Sequence, residues 1–117
     1  MRVAHSPDEL PHVDRAVAIG MFDGVHRGHQ AVIRAAVKSG LHPTVLTFHP
    51  HPRLALGYQV ELLATLDRRL ELFAELGVED TLVVEFTPDV SRMDAGAFAD
   101  ALLRPIGTRI VVAGEDF

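Results

Sequence analysis

The sequence predicts an α/β protein built on a parallel β-sheet with helices on both faces. Four short runs rich in Val, Ile, Leu and Thr recur along the chain, at residues 15–20, 43–48, 80–86 and 109–114. Each run is apolar almost throughout rather than alternating, which is typical of strands covered on both faces. Segments with helical periodicity separate the runs, and this alternation favours right-handed crossovers between parallel strands.

Three segments between the predicted strands carry helix signals. They are residues 30–40, 65–77 and 94–107. The first ends at Gly40, a residue that suits a helix C-terminus. The second begins at Thr65, a good N-cap, and repeats apolar residues on one face. The third begins at Asp94, another N-cap residue, and must end near Pro105. The predicted order is therefore β-α-β-α-β-α-β.

Two further segments need an interpretation. Residues 50–63 contain two Pro and one Gly without clean periodicity, so we expect a loop of functional length. The D-R-R sequence at residues 67–69 lies within the second predicted helix, and we interpret it as a solvated helix face.

Composition limits the classes of function. The chain has 117 residues, 48% of them hydrophobic, no Cys and a net charge of -5. These values suit one globular domain in a reducing compartment, and we expect the cytoplasm. No apolar run reaches the roughly 18 residues of a membrane span, and no secretory signal is evident. The sequence contains no cluster of Lys and Arg residues of the kind that binds nucleic acid, so we expect a small-molecule partner.

Residues with chemical function follow the strands at the ends that a parallel sheet brings to one edge. The stretch F-D-G-V-H-R-G-H follows the first strand, where a helix is expected to begin. Free backbone N–H groups and the positive end of the helix dipole attract phosphate there. His26 and His29 can both reach one phosphate if the helix starts near residue 25 or 26. The other strand ends carry His49, His51, Thr87, Glu115 and Asp116.

Five stretches follow one another along the chain: G-M-F-D-G-V-H-R-G-H-Q, T-F-H-P-H-P, L-A-T-L-D-R-R-L-E-L-F-A-E-L-G-V-E-D, E-F-T-P-D-V and V-V-A-G-E-D-F. Together they resemble the FMN adenylyltransferase module of prokaryotic bifunctional FAD synthetases, one of the H-x-G-H nucleotidyltransferases. The resemblance runs from about residue 15 to residue 117. It implies a Rossmann-like sheet with the order 3-2-1-4 for the four predicted strands. It also implies that ATP and FMN give FAD and pyrophosphate, with Mg²⁺ helping to hold the triphosphate.

The resemblance also assigns roles to residues. His26 and His29 would stabilise charge at the α-phosphate during transfer, without a covalent intermediate. The FMN phosphate is already an anionic nucleophile, so positioning and electrostatic stabilisation suffice without a general base. The ATP side would contain Gly20, Met21, Phe22, Asp23, Gly28 and His29. The flavin side would contain Phe48, His49, Pro50, His51, Pro52 and Asp116.

The chain departs from the family pattern at three places. Met21 stands where Asn is usual, and His49 stands where Asp is usual. The chain ends at G-E-D-F, where the family continues into further phosphate-binding motifs and a riboflavin kinase domain. We therefore expect residues 1–117 to be one nucleotidyltransferase-like domain, truncated at its C-terminus, that transfers adenylate poorly alone. The strand at 109–114 would lie at an exposed edge, through which a homo-oligomer could form.

Two other functions stay open at this point. His26, His29, His49 and His51 all follow the first two strands, and neutral imidazoles bind zinc, nickel or copper. A His-rich metal-binding module is therefore one alternative. The other is a catalytically silent remnant that binds flavin or nucleotide without making FAD.

Overall fold

The predicted strands form one parallel sheet in the computed structural model, which describes residues 1–23, 27–50, 57 and 65–114. The described strands are β1 (Arg2–Ala4), β2 (Arg15–Ile19), β3 (His42–Phe48), β4 (Asp80–Val84) and β5 (Thr108–Ala113). They lie in the order β1-β4-β3-β2-β5, and every neighbouring pair is parallel. The predicted α/β class is confirmed.

The strand order differs from the expected order by one added strand. β2 to β5 keep the relative order that was predicted for the four apolar runs, but β1 pairs with β4 and extends the sheet on that side. β1 has only three residues, two of them exposed, so it lacks a continuous apolar run. It becomes a strand because its backbone pairs with the segment at β4; the Arg2 N–H, for example, donates to the Glu79 carbonyl at 2.9 Å.

Two of the described helices begin at the caps that the sequence indicated. The described helices are α1 (Arg27–Val37), α2 (Leu66–Glu75), α3 (Pro88–Ser91) and α4 (Ala95–Phe98). The Thr65 hydroxyl accepts a hydrogen bond from the Arg68 N–H at 3.1 Å, and Asp94 Oδ1 accepts one from the Ala97 N–H at 2.8 Å. Both predicted N-caps are therefore confirmed.

The helix ends differ in detail from the predicted bounds. α1 already includes Arg27, before the periodic segment that begins at residue 30, and its last residue is Val37, three residues before Gly40. α4 continues through a π-helical stretch (Ala99–Leu103) into a 3₁₀ turn (Arg104–Ile106). The predicted stop near Pro105 therefore holds, although the helix changes its winding before it ends. α3 was not predicted.

Apolar side chains pack on both faces of the sheet. On one face, strand residues pack against α1 and α2; this cluster includes Ala16, Ala18, Val45, Ile33, Ala36 and Phe73. On the other face, strand residues pack against the segment that follows α4; this cluster includes Val17, Leu46, Leu82, Leu102, Leu103 and Ile106. Helical segments therefore cover both faces, as expected.

A buried ion pair joins three strands at the amino edge of the sheet. Arg15 is fully buried, and its Nη1 donates to Asp80 Oδ2 at 2.7 Å and to Thr44 Oγ1 at 3.0 Å. Its Nε donates to the Ile106 carbonyl at 2.8 Å, and His42 Nε2 lies 2.8 Å from Asp80 Oδ2. Burial alone would raise the pKa of Asp80, but hydrogen bonds from Arg15 and His42 outweigh it, so this pKa is lowered.

β5 forms one edge of the sheet, and β2 is its neighbour there. Ile110 and Val111 of this strand are 45% and 47% exposed. The expected exposed apolar edge is therefore present. Within the ranges that the structure describes, no helix combines the length and the apolar character needed to cross a membrane.

Candidate active site

The parallel strands bring several candidate residues to the carboxyl edge of the sheet. They are Gly20, Met21, Phe22 and Asp23 after β2, His49 and Pro50 after β3, Glu85 after β4 and His5 after β1. α1 follows β2 in the chain, so Gly28 and His29 lie in its first described turn. Ligands of open parallel sheets bind beyond this edge.

The chain turns sharply at Phe22. Its φ angle is 54°, in the left-handed region that residues other than Gly rarely adopt, and its side chain is buried. The ring folds back over Gly20, where an added Cβ atom would lie 2.9 Å from the ring carbon Cζ. Gly20 therefore leaves the space that the turn requires. We refer to residues 20–23 as the β2 corner.

The Phe22 ring connects the β2 corner to α1 and α2. Its centroid lies 5.5 Å from that of His29 and 5.7 Å from that of Phe73, with interplanar angles of 88° and 82°. Both are edge-to-face arrangements, which aromatic rings favour. His29 is half-buried beside this ring, and Gly28 is exposed. The structure thus brings the predicted ATP-side residues Gly20, Phe22 and His29 together.

Arg69 is a buried cation beside the same corner. It is 2% exposed, and its Nη1 donates to the Met21 carbonyl at 2.7 Å and to Thr47 Oγ1 at 3.2 Å. The interpretation of residues 67–69 as a solvated face is therefore wrong for Arg69. Arg68 does fit it, because its side chain is 52% exposed and pairs with Glu71 at 2.8 Å.

Helical periodicity could have identified Arg69 as a buried residue. It lies four residues before Phe73, which is fully buried, and residues four apart share one face of a helix. Arg69 is thus on the apolar stripe of α2, whereas Arg68 is one position off it. A cation on an apolar stripe indicates a specific partner, since an unpaired buried charge is costly.

Two opposite charges meet at the β2 corner. Burial lowers the pKa of Arg69, and the carboxylate of the half-buried Asp23 acts in the opposite direction. The Met21 side chain packs against the apolar cluster that includes Phe48, on the other face of the sheet. Position 21, where the resemblance leads one to expect Asn, is therefore an apolar packing position here.

A cavity of about 350 Å³ lies at the carboxyl ends of β1, β3 and β4. Its lining residues are His5, His49, Pro50, Val83 and Glu85. The His49 N–H donates to the Val84 carbonyl at 3.1 Å, which ties the end of β3 to β4, and the His49–Pro50 peptide is cis. This volume lies in the range of small-molecule sites, roughly 300 to 1,000 Å³. His49 and Pro50 are therefore brought to one concave surface.

Phe48 occupies a different environment from its neighbours in the flavin-side set. It is 2% exposed, and its ring contacts Phe86 edge-on at 5.8 Å and Phe98 at 6.3 Å. The structure places this side chain in the core, where it supports the end of β3, and not among the residues that line the cavity.

Sequence comparison identifies the family. Residues 9–117 match the sequence family described as FAD synthetase. The chain belongs to the FAD synthetase family. The resemblance drawn from the motifs is thus confirmed.

Individual FAD synthetase relatives match this chain over part of their length. The bifunctional riboflavin kinase/FMN adenylyltransferase of Listeria monocytogenes is 42% identical over 117 residues, covering 94% of this chain and 37% of that protein. The Bacillus subtilis protein of the same name is 37% identical, covering 86% and 34%. The Escherichia coli one is 31% identical, covering 100% and 40%. The chain thus spans between 34% and 40% of the length of these curated relatives.

A solved structure shows the same arrangement of strands and helices. A Streptococcus pneumoniae protein, described as a macrolide-efflux protein, superposes on this chain with a TM-score of 0.82. The two are 25% identical, and the match covers 95% of this chain and 46% of the other. The likeness shows that the two proteins share a fold over this region.

Several predicted site residues of this chain lie outside the described residues. They are His26, His51, Pro52 and Asp116. The metal-binding alternative depends on His26 and His51 as well as on His29 and His49. Within the described ranges there is no group of three or more His, Cys, Asp or Glu residues that could hold a metal ion.

Proposed function

We propose that this chain carries an FMN adenylyltransferase site, which transfers the adenylyl group of ATP to FMN and gives FAD and pyrophosphate. The observation that carries the proposal is the position of His29, in the first described turn of α1 and against the Phe22 ring of the β2 corner. Membership of the FAD synthetase family supports the same reaction.

The proposed reaction needs little more than positioning and charge stabilisation. An oxygen of the FMN phosphate attacks the α-phosphorus of ATP, and the bond from that phosphorus to the bridging oxygen of pyrophosphate breaks. His29, with His26 as a second donor, would stabilise the charge on the phosphoryl oxygens. The N-terminus of α1 would attract the same phosphates, and Gly28 has no side chain to keep them away. The attacking phosphate needs no general base.

Mg²⁺ would enter with ATP and neutralise part of the triphosphate charge. The described residues offer no cluster of three or more side chains for an ion. We propose that the ATP phosphates and water supply most of its ligands, as is common for Mg²⁺ at nucleotide sites. On this proposal the protein binds the phosphates and not a resident metal ion.

The flavin would bind toward β3 and β4, next to the ATP side. The cavity lined by His49 and Pro50 supports this placement, because it lies at the same edge of the sheet as the β2 corner. His51, Pro52 and Asp116 are proposed to complete the flavin side. Phe48 would contribute to the flavin side indirectly, because its buried ring supports the end of β3, which His49 follows.

The wider context of the domain is also a proposal. We propose that residues 1–117 form one nucleotidyltransferase-like domain of a cytoplasmic protein, accompanied by a riboflavin kinase domain like the one in the relatives' names. We propose that further protein covers β5, from the same chain or from a second copy, and the exposure of Ile110 and Val111 supports this. Without that cover, we expect the chain to transfer adenylate slowly.

Calorimetric titration of the 117-residue chain with ATP–Mg²⁺, FMN and Zn²⁺ tests the proposal. We expect ATP–Mg²⁺ to bind, and His29→Ala to weaken this binding about 10- to 100-fold, because a hydrogen bond to a charged group is lost. His12→Ala is the matched control: His12 contacts the Pro105 carbonyl, away from the proposed site, and this variant should bind ATP normally.

Other outcomes would favour the other functions. Tight stoichiometric Zn²⁺ binding without nucleotide binding would indicate a metal-binding module. Ligand binding without any FAD, in an assay with radiolabelled ATP and FMN, would indicate a silent remnant. Rapid turnover by the purified chain would refute the expectation of low activity.

A further inference from the structure

We propose that Arg69 is a positioning residue for adenylyl transfer, because it fixes the β2 corner against which His29 is placed. This inference rests on the proposed function. It also makes a structural statement about His29 that can be tested without any substrate. Arg69 lies on α2, in a stretch that carries the family resemblance, but neither the sequence nor the resemblance assigned it a role in the site.

The first step of the argument is the Met21 carbonyl. Arg69 Nη1 donates to it at 2.7 Å, and the Thr47 hydroxyl donates to it at 3.3 Å. Arg69 Nη1 and Thr47 Oγ1 are themselves 3.2 Å apart. A helix, a strand and the β2 corner therefore share one small hydrogen-bonded group. A charged donor makes such bonds stronger than neutral donors do.

The second step leads from this carbonyl to His29. The Met21 carbonyl belongs to the peptide bond between Met21 and Phe22. The hydrogen bonds to this carbonyl therefore hold the orientation of that peptide plane, next to the N–Cα bond at which Phe22 has its φ of 54°. The Phe22 ring then lies edge-on to both Phe73 and His29. α2 thus contacts the corner twice, through Arg69 at the backbone and through Phe73 at the ring. The position of His29 depends on both contacts.

The third step is the charge of Arg69. An apolar side chain could fill this volume at lower cost, because a buried guanidinium loses its hydration. Arg69 Nε has no hydrogen-bond partner in the part of the chain that the structure describes, so the charge is only partly compensated. Asp23, the last residue of the corner, is the carboxylate that interacts with it electrostatically. The positive charge of Arg69 therefore lies beside the β2 corner, where the proposed reaction would bring the triphosphate of ATP.

The test compares Arg69→Met with Arg68→Met. Both variants remove one positive charge from α2, but Arg68 is exposed and pairs with Glu71. Two properties are measured: the NMR signals of the His29 ring, assigned by their loss in His29→Ala, and the affinities for ATP–Mg²⁺ and FMN. The His42 ring, at the opposite edge of the sheet, is the internal reference.

We expect Arg69→Met to shift the His29 signals and leave those of His42 unchanged. Affinity for ATP–Mg²⁺ should fall, by no more than the roughly 10- to 100-fold expected when the His29 hydrogen bond is lost altogether, while FMN affinity stays within about twofold. Arg68→Met should match the wild type in every measurement. Arg69→Lys should restore part of the ATP affinity, since an ammonium group can still donate to one carbonyl.

A second variant keeps the proposal testable if Arg69→Met does not fold. Thr47→Val removes one donor to the Met21 carbonyl with little change in shape, and it should shift the His29 signals in the same direction. Unchanged His29 signals and ATP affinity in the folded variants would overturn the proposal. If the wild type binds no ATP, the proposed function fails, but a shift of the His29 signals would still support the positioning role.

Discussion

The Phe22 ring and the α-carbon of Gly20 face each other across the β2 corner without room for a methyl group between them. We predict that Gly20→Ala lowers the free energy of unfolding by about 1 to 3 kcal/mol, the usual cost of overpacking a buried site. The added Cβ would lie 2.9 Å from Cζ of a buried ring, so the ring must move. Urea denaturation of the wild type and the variant measures the difference.

Gly96→Ala is the control for this prediction. Gly96 lies within α4, and an added Cβ would have Asp94 Oδ1 as its nearest neighbour, at 3.5 Å. Because Ala is the better helix former by up to about 1 kcal/mol, this variant should be neutral or slightly stabilised. Equal destabilisation by both substitutions would contradict the special role of Gly20.

The ion pair at the amino edge gives a second prediction. Asp80→Asn leaves the fully buried Arg15 without its carboxylate, and we expect a loss of about 3 to 5 kcal/mol in the free energy of unfolding. Asp100→Asn removes a carboxylate that lies 2.7 Å from exposed Arg104, and this should cost less than about 1 kcal/mol. Chemical denaturation at pH 7 compares the two. A loss at Asp80 as small as that at Asp100 would contradict the prediction.

Stability should also depend on pH through Asp80. Its pKa is lowered in the folded chain, so the unfolded chain binds a proton at this carboxyl more readily than the folded chain does. The resulting stabilisation is fully present above the unfolded pKa of about 4, and it is lost as the pH falls through the folded value. Denaturation at a series of pH values should show wild-type stability approaching that of Asp80→Asn in acid. A constant difference down to low pH would exclude this linkage.

The exposed edge of β5 leads to a fourth prediction. Val111→Lys should reduce any self-association of the chain, because a charge on an apolar edge strand opposes pairing with another edge. Sedimentation velocity at several protein concentrations measures this. Val3→Lys, on the opposite edge strand β1, is the comparison. If it reduces self-association as much as Val111→Lys does, then β5 is not the specific contact.

Local signals explain most of what the sequence could predict. Thr65 and Asp94 cap their helices as expected, because a cap depends on a few neighbouring residues. The continuous apolar runs likewise revealed β2 to β5. β1 escaped prediction because its three residues become a strand only by pairing with β4. A contact between segments distant in sequence is invisible to local patterns.

The same reason limits what could be predicted of the candidate site. His29 and Gly20 were found because they belong to a compact motif. Arg69 and the turn at Phe22 were missed, because a buried cation needs partners from other elements and a positive φ outside Gly needs tertiary support. In each case the missing information was a long-range contact.

The Arg15–Asp80 ion pair and the β2 corner lie at opposite ends of the same strand layer. The buried ion pair that stabilises the sheet is thereby separated from the surface proposed to bind the substrates. Loops at the carboxyl edge can therefore be exchanged, in evolution or in engineering for a new adenylyl acceptor, without weakening the ion pair that links the strands at the amino edge.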